Sequence, residues 1–415
     1  MKQSLDFKEF GPCEPETWIA LVSKELGDKP FESLIWKDEN GLSLQPYYSD
    51  RGQQLLSHGS PKTNWQIAQS FGAQNDRSWN ESILNALAGG VQFLVLDFKG
   101  RSDANLDVIL KDVLIDIITI RFINNPEPLS LLKQFYQLAT GRGIDTKALK
   151  GSVLSDHTDI SSFVAIAEFC NKYLPAFHAI EIDGVSLHNR GANAVLEVAA
   201  VLHEAHQQLF ALMESGITAS EANDKLFFSF GIGSSYFVEM AKLRVFRELW
   251  SFILSSYDSA LHDAGMNVFV YAETSARNQV VADIHNNLLR ATTQSMSAIL
   301  GGADALNTIP YNAVAATDDV NSMRLARNIQ HLLIEESYLN ESREAVNGSY
   351  YIGEVEKQLT EKIWMLFKEL ESKGDRAQKF IQEQVILQSE ERNKEIEDKK
   401  RVVVGLNKYQ QATQK

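Results

Sequence analysis

The sequence predicts an α/β fold: a parallel TIM (β/α)8 barrel with an N-terminal helical arm and a C-terminal helical extension. Three observations predict it. Short, almost wholly apolar runs recur at residues 91–98, 113–120, 177–183, 226–230 and 267–271. Strands that are apolar along their whole length are buried on both faces, the pattern of a parallel sheet covered by helices. Helical periods such as A-V-L-E-V-A-A-V-L at 194–202 and F-V-E-M-A-K-L-R-V-F at 237–246 alternate with them, and that alternation means a doubly wound sheet or a (β/α)8 barrel. No G-x-G-x-x-G follows a first strand, which disfavours a dinucleotide-binding sheet and leaves the barrel.

The elements divide the chain into three expected parts. Residues 1–55 carry Trp18, Trp36 and the run Pro46, Tyr47, Tyr48, and read as an amphipathic helix plus an arm. Residues 56–330 hold the barrel. Residues 331–415 turn helical and charged, with a dense run of acids and bases at 390–401 that reads as a solvated helix face rather than a binding element. The last residues, 410–415, have too few apolar side chains to order themselves.

Composition sets outer limits. With 44% hydrophobic and 23% charged residues over 415 positions, the chain is of the soluble globular kind and long enough for a barrel with additions. A net charge of -14 argues against a nucleic-acid backbone as partner, yet leaves room for a small anion at a local arginine cluster. The two cysteines, Cys13 and Cys170, have no metal-ligand spacing and read as ordinary thiols. The first ten residues lack an apolar signal core and no run of about 18 apolar residues occurs, so a cytoplasmic protein with no membrane segment is expected.

The most informative stretch is D-I-H-N-N-L-L-R-A-T-T at 283–293, running on to A-I-L-G-G-A at 298–303. Asn and Asp read as caps of an apolar helix, with the Gly pair as its stop. The run A-D-A-L-N-T-I-P at 303–310 reads as a short buried strand ending in a polar loop. Asn286, Asn287 and Arg290 stand where loops after barrel strands carry sites, and are weak candidates for substrate contact. Lys242, Arg244 and Arg247, at helical spacing, read first as a salt-bridged helix face and second as lining an interface or binding ligand phosphates. His178, His203, His206 and His331 lack a second ligand at metal spacing, and Trp79 and Trp364 read as core.

The 283–303 run resembles the D-P-Y-N-N-x-x-R-T-T…L-G-G signature in the barrel domain of the methylmalonyl-CoA mutase family. Further blocks extend the resemblance over about residues 60–370. F-F-S-F-G at 227–231 with F-V-E-M-A-K-L-R at 237–244 is similar to a strand–helix segment of that family. E-S at 336–337 with V-N-G-S-Y-Y at 346–351, and I-D-G at 182–184 with R-G-A at 190–192, resemble two of its loops. W-Q-I-A-Q at 65–69 is similar to the W-x-I-x-Q segment, read as a helix opening the barrel.

Departures from the family shape the functional expectation. The resemblance implies a catalytic histidine after I-S-G, and that position is Ser186 here, with His188 two places on. Serine is a weaker, uncharged donor and cannot take the same general-acid role. Where catalytic chains carry a T-M-Y segment with an arginine, this chain has H-G-S-P-K-T-N at 58–64, so Ser60 stands near the tyrosine position. The family's substrate loop has no clear counterpart, and G-S-V-L-S-D at 151–156 resembles the G-S-x-x-x-D-P-L of small, non-catalytic subunits instead. The D-x-H-x-x-G of a cobalamin-binding domain is missing: Asp283 and His285 mimic its start, but Leu288 replaces the glycine and too little chain follows residue 400 for such a domain.

The resemblance therefore implies a small, non-catalytic subunit in a heterodimer with a large catalytic subunit, the assembly interconverting methylmalonyl-CoA and succinyl-CoA. No catalytic, cofactor or metal residues are expected in this chain, and adenosylcobalamin is expected in the partner. Two alternatives stay open: an active barrel served by a separate cobalamin-binding polypeptide, and an acyl-CoA-binding barrel without turnover. Sequence leaves open whether acyl-CoA enters the barrel and whether the chain is a fragment.

Overall fold

The computed structural model describes residues 14–48, 64–72, 74–154, 160–315, 319–342 and 345–410. One parallel sheet dominates it. Its strands are β1 (Gln66–Gly72), β2 (Phe93–Asp97), β3 (Thr119–Ile123), β4 (Lys150–Val153), β5 (Phe177–His178 and Ile180–Asp183), β6 (Leu226–Ile232), β7 (Val270–Thr274) and β8 (Ala305–Asn307). Each pairs in parallel with the next, and β8 pairs with β1. The 9 segments of the sheet begin and end on the two halves of β5, which break only at Ala179. The sheet thus closes on itself as an eight-stranded (β/α)8 barrel, as the sequence predicts.

Strand β6 shows why the apolar runs carried no alternation. All of its residues are buried. Phe228 and Phe230 point outward onto Phe246 at 4.8 and 4.7 Å, and Phe228 also meets Trp250 at 5.4 Å, both on helix α1 (Tyr236–Tyr257). Phe227, the residue just before Phe228, points into the barrel. Both faces being dry, nothing selects for polar residues on either one.

Four expectations shift. W-Q-I-A-Q is the start of strand β1, not a helix: Trp65, Ile67 and Phe71 recur at multiples of two and bury together under the helices. In the 113–120 run only the end is strand; β3 starts at Thr119, and Leu114 and Ile117 are 63% and 70% exposed in the turn before it. The 267–271 run likewise enters its strand only at Val270. Strand β4 was not foreseen because K-G-S-V is barely apolar. Gly151 is required there: a Cβ would sit 1.9 Å from the Ile120 carbonyl oxygen and 2.5 Å from the Phe177 ring.

The terminal parts are helical. Pro15–Leu26 forms the N-terminal helix. Helix α2 (Tyr350–Lys373) packs across α1 and across the helix Ala194–Glu214, and helix α3 (Ala377–Glu397) follows it. Arg244 on α1 ties α2 down through Glu356 at 2.5 Å. His203 and His206 do the same through Glu371, at 2.6 and 3.0 Å, with His206 also 2.8 Å from Tyr257 Oη. Among the described residues no helix is long and apolar enough to cross a membrane.

Candidate functional site

In a (β/α)8 barrel, chemistry belongs at the carboxyl-terminal ends of the strands and along the axis beneath them. Here the axis is filled. Phe93 on β2 reaches Phe227 on the opposite strand β6 at 6.3 Å, and Tyr271 on β7 at 5.5 Å. Phe269 stacks on both phenylalanines, 6.2 Å from Phe93 and 5.5 Å from Phe227. Phe93, Phe227 and Tyr271 have no exposed surface. Above them Arg121 on β3 lies over the Tyr271 ring at 4.5 Å and grips Glu181 on β5 with two hydrogen bonds, one of them from Nε at 2.9 Å. Ser152 Oγ adds a 3.4 Å contact to the same carboxylate. Burial pushes the Glu181 carboxyl up, and Arg121 offsets part of that rise. A cavity of about 410 Å³ remains below the plug, at the amino-terminal end of the strands, roofed by Phe227 and Phe269 with His178 and Lys150 beside it.

At the mouth, Asp183 ends β5 and caps the helix Gly184–Arg190, its carboxylate accepting from the Ser186 amide at 3.1 Å and from the Ser186 hydroxyl. Ser229 Oγ donates to the same group at 3.2 Å. Ser186 is exposed at the mouth, where its hydroxyl is committed to this cap. His188 turns away into the protein. It is 2% exposed, with Nδ1 3.3 Å from Glu197 Oε2 and Nε2 2.9 Å from Ser275 Oγ. Lys242 Nζ completes the cluster, 2.8 Å from Glu197 and 2.5 Å from Glu239. Burial alone would raise Glu197, but Lys242 and His188 outweigh it and hold the carboxyl below its usual range. This buried lattice locks α1 to the barrel and is closed to substrate.

The remaining candidates among the described residues all make internal contacts. Asn286 and Asn287 do not cap their helix, whose N-cap is His285 with no side-chain bond. Asn287 is wholly buried and clasps two loops instead: its Oδ1 accepts from the Val280 amide at 2.9 Å, and its Nδ2 donates to the Val280 and Tyr311 carbonyls at 3.0 and 2.9 Å. Asn286 Nδ2 donates to Asp283 at 2.7 Å. Arg290 reaches Asn287 Oδ1 at 2.9 Å and the Val404 carbonyl at 2.5 Å. Gly302 closes the helix with φ at 87°, as its sequence foretold. Arg247 donates to Asp304 at 2.8 Å and to backbone carbonyls, so Lys242, Arg244 and Arg247 are all spent on internal pairs rather than on CoA phosphates. His178 and His331 rest on the Asp224 and Gly89 carbonyls. Trp79 is fully buried against Phe98, and Trp364 stacks on Phe367. Cys170 is buried, its thiol pushed up to about 12 by that burial. Ser60, the 155–156 end of the G-S-V-L-S-D block and Cys13 lie outside the described residues.

The Asp-x-His spacing at 283–285 is taken up by internal contacts. His285, in the one Asp-x-His spacing, stacks on Tyr311 at 5.7 Å, and the Asp283 carboxylate behind it accepts from Asn286. Among the described residues no three His, Cys, Asp or Glu side chains gather where they could hold a metal ion.

Sequence reasoning missed the Arg121–Glu181 pair. A visible signal existed: each is a charge flanked on both sides by apolar strand residues, in T-I-R-F-I and I-E-I-D. A charge there is either paired across the barrel or absent.

Fold and site together define a (β/α)8 barrel protein that keeps a polar mouth above a blocked axis. The methylmalonyl-CoA mutase family model matches residues 101–415, and the chain belongs to that family. It is 28% identical to a methylmalonyl-CoA mutase small subunit from Porphyromonas gingivalis, over 98% of this chain and 71% of that protein. It is 25% identical to the mitochondrial methylmalonyl-CoA mutase of Bos taurus, and 26% identical to the methylmalonyl-CoA mutase of Cereibacter sphaeroides. In both cases 96% of this chain is covered, but only 61% and 64% of the relative.

Proposed function

We propose that this chain is the small, non-catalytic subunit of an adenosylcobalamin-dependent methylmalonyl-CoA mutase. It supports a large catalytic subunit in a cytoplasmic heterodimer that interconverts methylmalonyl-CoA and succinyl-CoA. The observation that carries the reading is the plugged axis. Phe93, Phe227 and Tyr271 from opposed strands touch where a substrate arm would have to pass. Ser186 at the mouth supports it further, because a capping hydroxyl supplies no general acid. The relative named as a small subunit, aligned over 98% of this chain, points the same way. In such an assembly the cofactor, held by the partner, carries the radical chemistry. This chain supplies a rigid barrel and an interface, and packing survives where a site has been lost.

Co-purification tests the proposal. The tagged chain, isolated from its native cells, should bring down a single larger mutase subunit at one-to-one stoichiometry. Recovery instead with a small cobalamin-binding protein would favour an active barrel served by a separate cofactor carrier. Recovery alone, with acyl-CoA bound, would favour a binding module.

A further inference from the structure

On the carboxyl-terminal face of the barrel, Arg290, Arg392 and Arg401 line a cavity of about 470 Å³. Ser234 after β6, Asn278 after β7 and Thr293 on the helix Asn286–Leu300 add to its polar wall, and among the described residues no carboxylate lines it. Arg401 is neutralised behind the wall by Glu39 and Glu395, each at 3.0 Å. Among the described residues the other two guanidinium groups hydrogen-bond only to neutral acceptors, with Asp283 acting on Arg290 and Glu39 and Glu395 on Arg392 through space. Arg290 donates to Asn287 Oδ1 and the Val404 carbonyl. Arg392 donates from Nη2 to Asn278 Oδ1 at 2.8 Å, while its Nε is buried with no acceptor among the described residues. Arg277 stands close behind, donating to the His188 and Ala192 carbonyls, and its Nε is likewise buried without an acceptor. Burial and the like charge of Arg277 push the Arg392 guanidinium down to about 10.

We propose that this cavity binds a phosphate or diphosphate group of a small molecule. Two half-buried cations facing one cavity, hydrogen-bonded only to neutral groups, carry a desolvation cost that the more distant carboxylates offset in part and an anion in the cavity would relieve further. Guanidinium forks match phosphate oxygens with paired hydrogen bonds, and the Ser234 hydroxyl and the Asn278 amide add neutral donors. The position agrees, since (β/α)8 barrels gather phosphate sites from the loops at this end of their late strands. The chain's charge of -14 excludes a general attraction for polyanions, so binding must come from the built cavity. The charged run at 390–401, read from sequence as a solvated face, then has a second use. Arg392 and Arg401 are its inward-facing members.

The test is calorimetric titration of the full chain with inorganic pyrophosphate at constant ionic strength, with malonate as a second arm. One saturable site, tighter for pyrophosphate than for malonate, is the expected result. Arg392→Gln should weaken it about tenfold or more. Ser234→Glu, which puts a carboxylate into the cavity from an exposed position, should abolish it and serves if Arg392→Gln fails to fold. Arg324→Gln, on an exposed arginine elsewhere, should leave it unchanged. No saturable uptake, equal uptake by Arg392→Gln and Arg324→Gln, or a preference for malonate would each overturn the proposal.

Discussion

Arg121 and Tyr271, on strands β3 and β7 at opposite sides of the barrel, meet across its axis with the guanidinium 4.5 Å from the ring centroid. Glu181 holds Arg121 there from a third strand. The interior is therefore filled by a cation sandwiched between an aromatic ring and a carboxylate, above a layer of phenylalanines. Among the described residues these side chains fill the axis at that level.

Breaking that pair should cost more than removing it. Arg121→Met strands a buried carboxylate and is expected to destabilise the protein by about 3–5 kcal/mol. The double replacement Arg121→Met, Glu181→Leu should recover most of that loss. Urea denaturation of both variants measures it; equal stabilities for the single and the double would refute the ion-pair account.

Phe227→Ala removes the ring that touches Phe93, Phe269 and Tyr271. A cost of about 3–5 kcal/mol in denaturant unfolding is expected, from lost burial plus the cavity left behind. The enlarged interior should still yield no mutase turnover, because the Ser186 hydroxyl is committed to the Asp183 cap and supplies no general acid.

The barrel was legible because its strands are buried on both faces and leave unbroken apolar runs such as 226–230. The exceptions have physical causes. Lys150–Val153 is a strand that works through Gly151, whose missing side chain lets neighbouring backbone and ring close in, and a small residue leaves no hydrophobic signal. The pattern at 65–71 has a period of two, but a family likeness read as helix overrode it. Asn286 and Asn287 carried the right chemistry for caps, and only the fold reveals that Asn287 bridges two distant loops instead. The positions that mattered most, Arg121 and Glu181, are 60 residues apart. Nothing local tells either of them about the other.

Ser186→His restores the residue type that the family's catalytic chains carry at this position. The site is exposed and the Asp183 cap keeps its amide partner, so stability should move by less than about 1 kcal/mol. Turnover should remain absent. Mutase activity in this single variant would show that the mouth is otherwise complete.

Glu371 makes one part of the fold acid-sensitive. Burial alone would raise its pKa, but hydrogen bonds and charge from His203 and His206 hold it at about 2. A carboxyl depressed in the folded state stabilises above its ordinary pKa of 4.5, and that stabilisation is lost as pH falls from there toward 2. Glu371→Gln should therefore lower stability at pH 7 by about 1–3 kcal/mol and flatten the acid limb of the stability curve over that window. An unchanged acid limb would count against the clasp between the two helices.

The central claim is that this barrel has lost its substrate path and acts only through a partner. Its most direct test is titration of the purified chain with methylmalonyl-CoA, with turnover assayed after adding adenosylcobalamin. The account predicts no succinyl-CoA formed by the chain alone, and any saturable methylmalonyl-CoA binding confined to the Arg290–Arg392 cavity and lost in Arg392→Gln. Micromolar methylmalonyl-CoA binding together with turnover would contradict it.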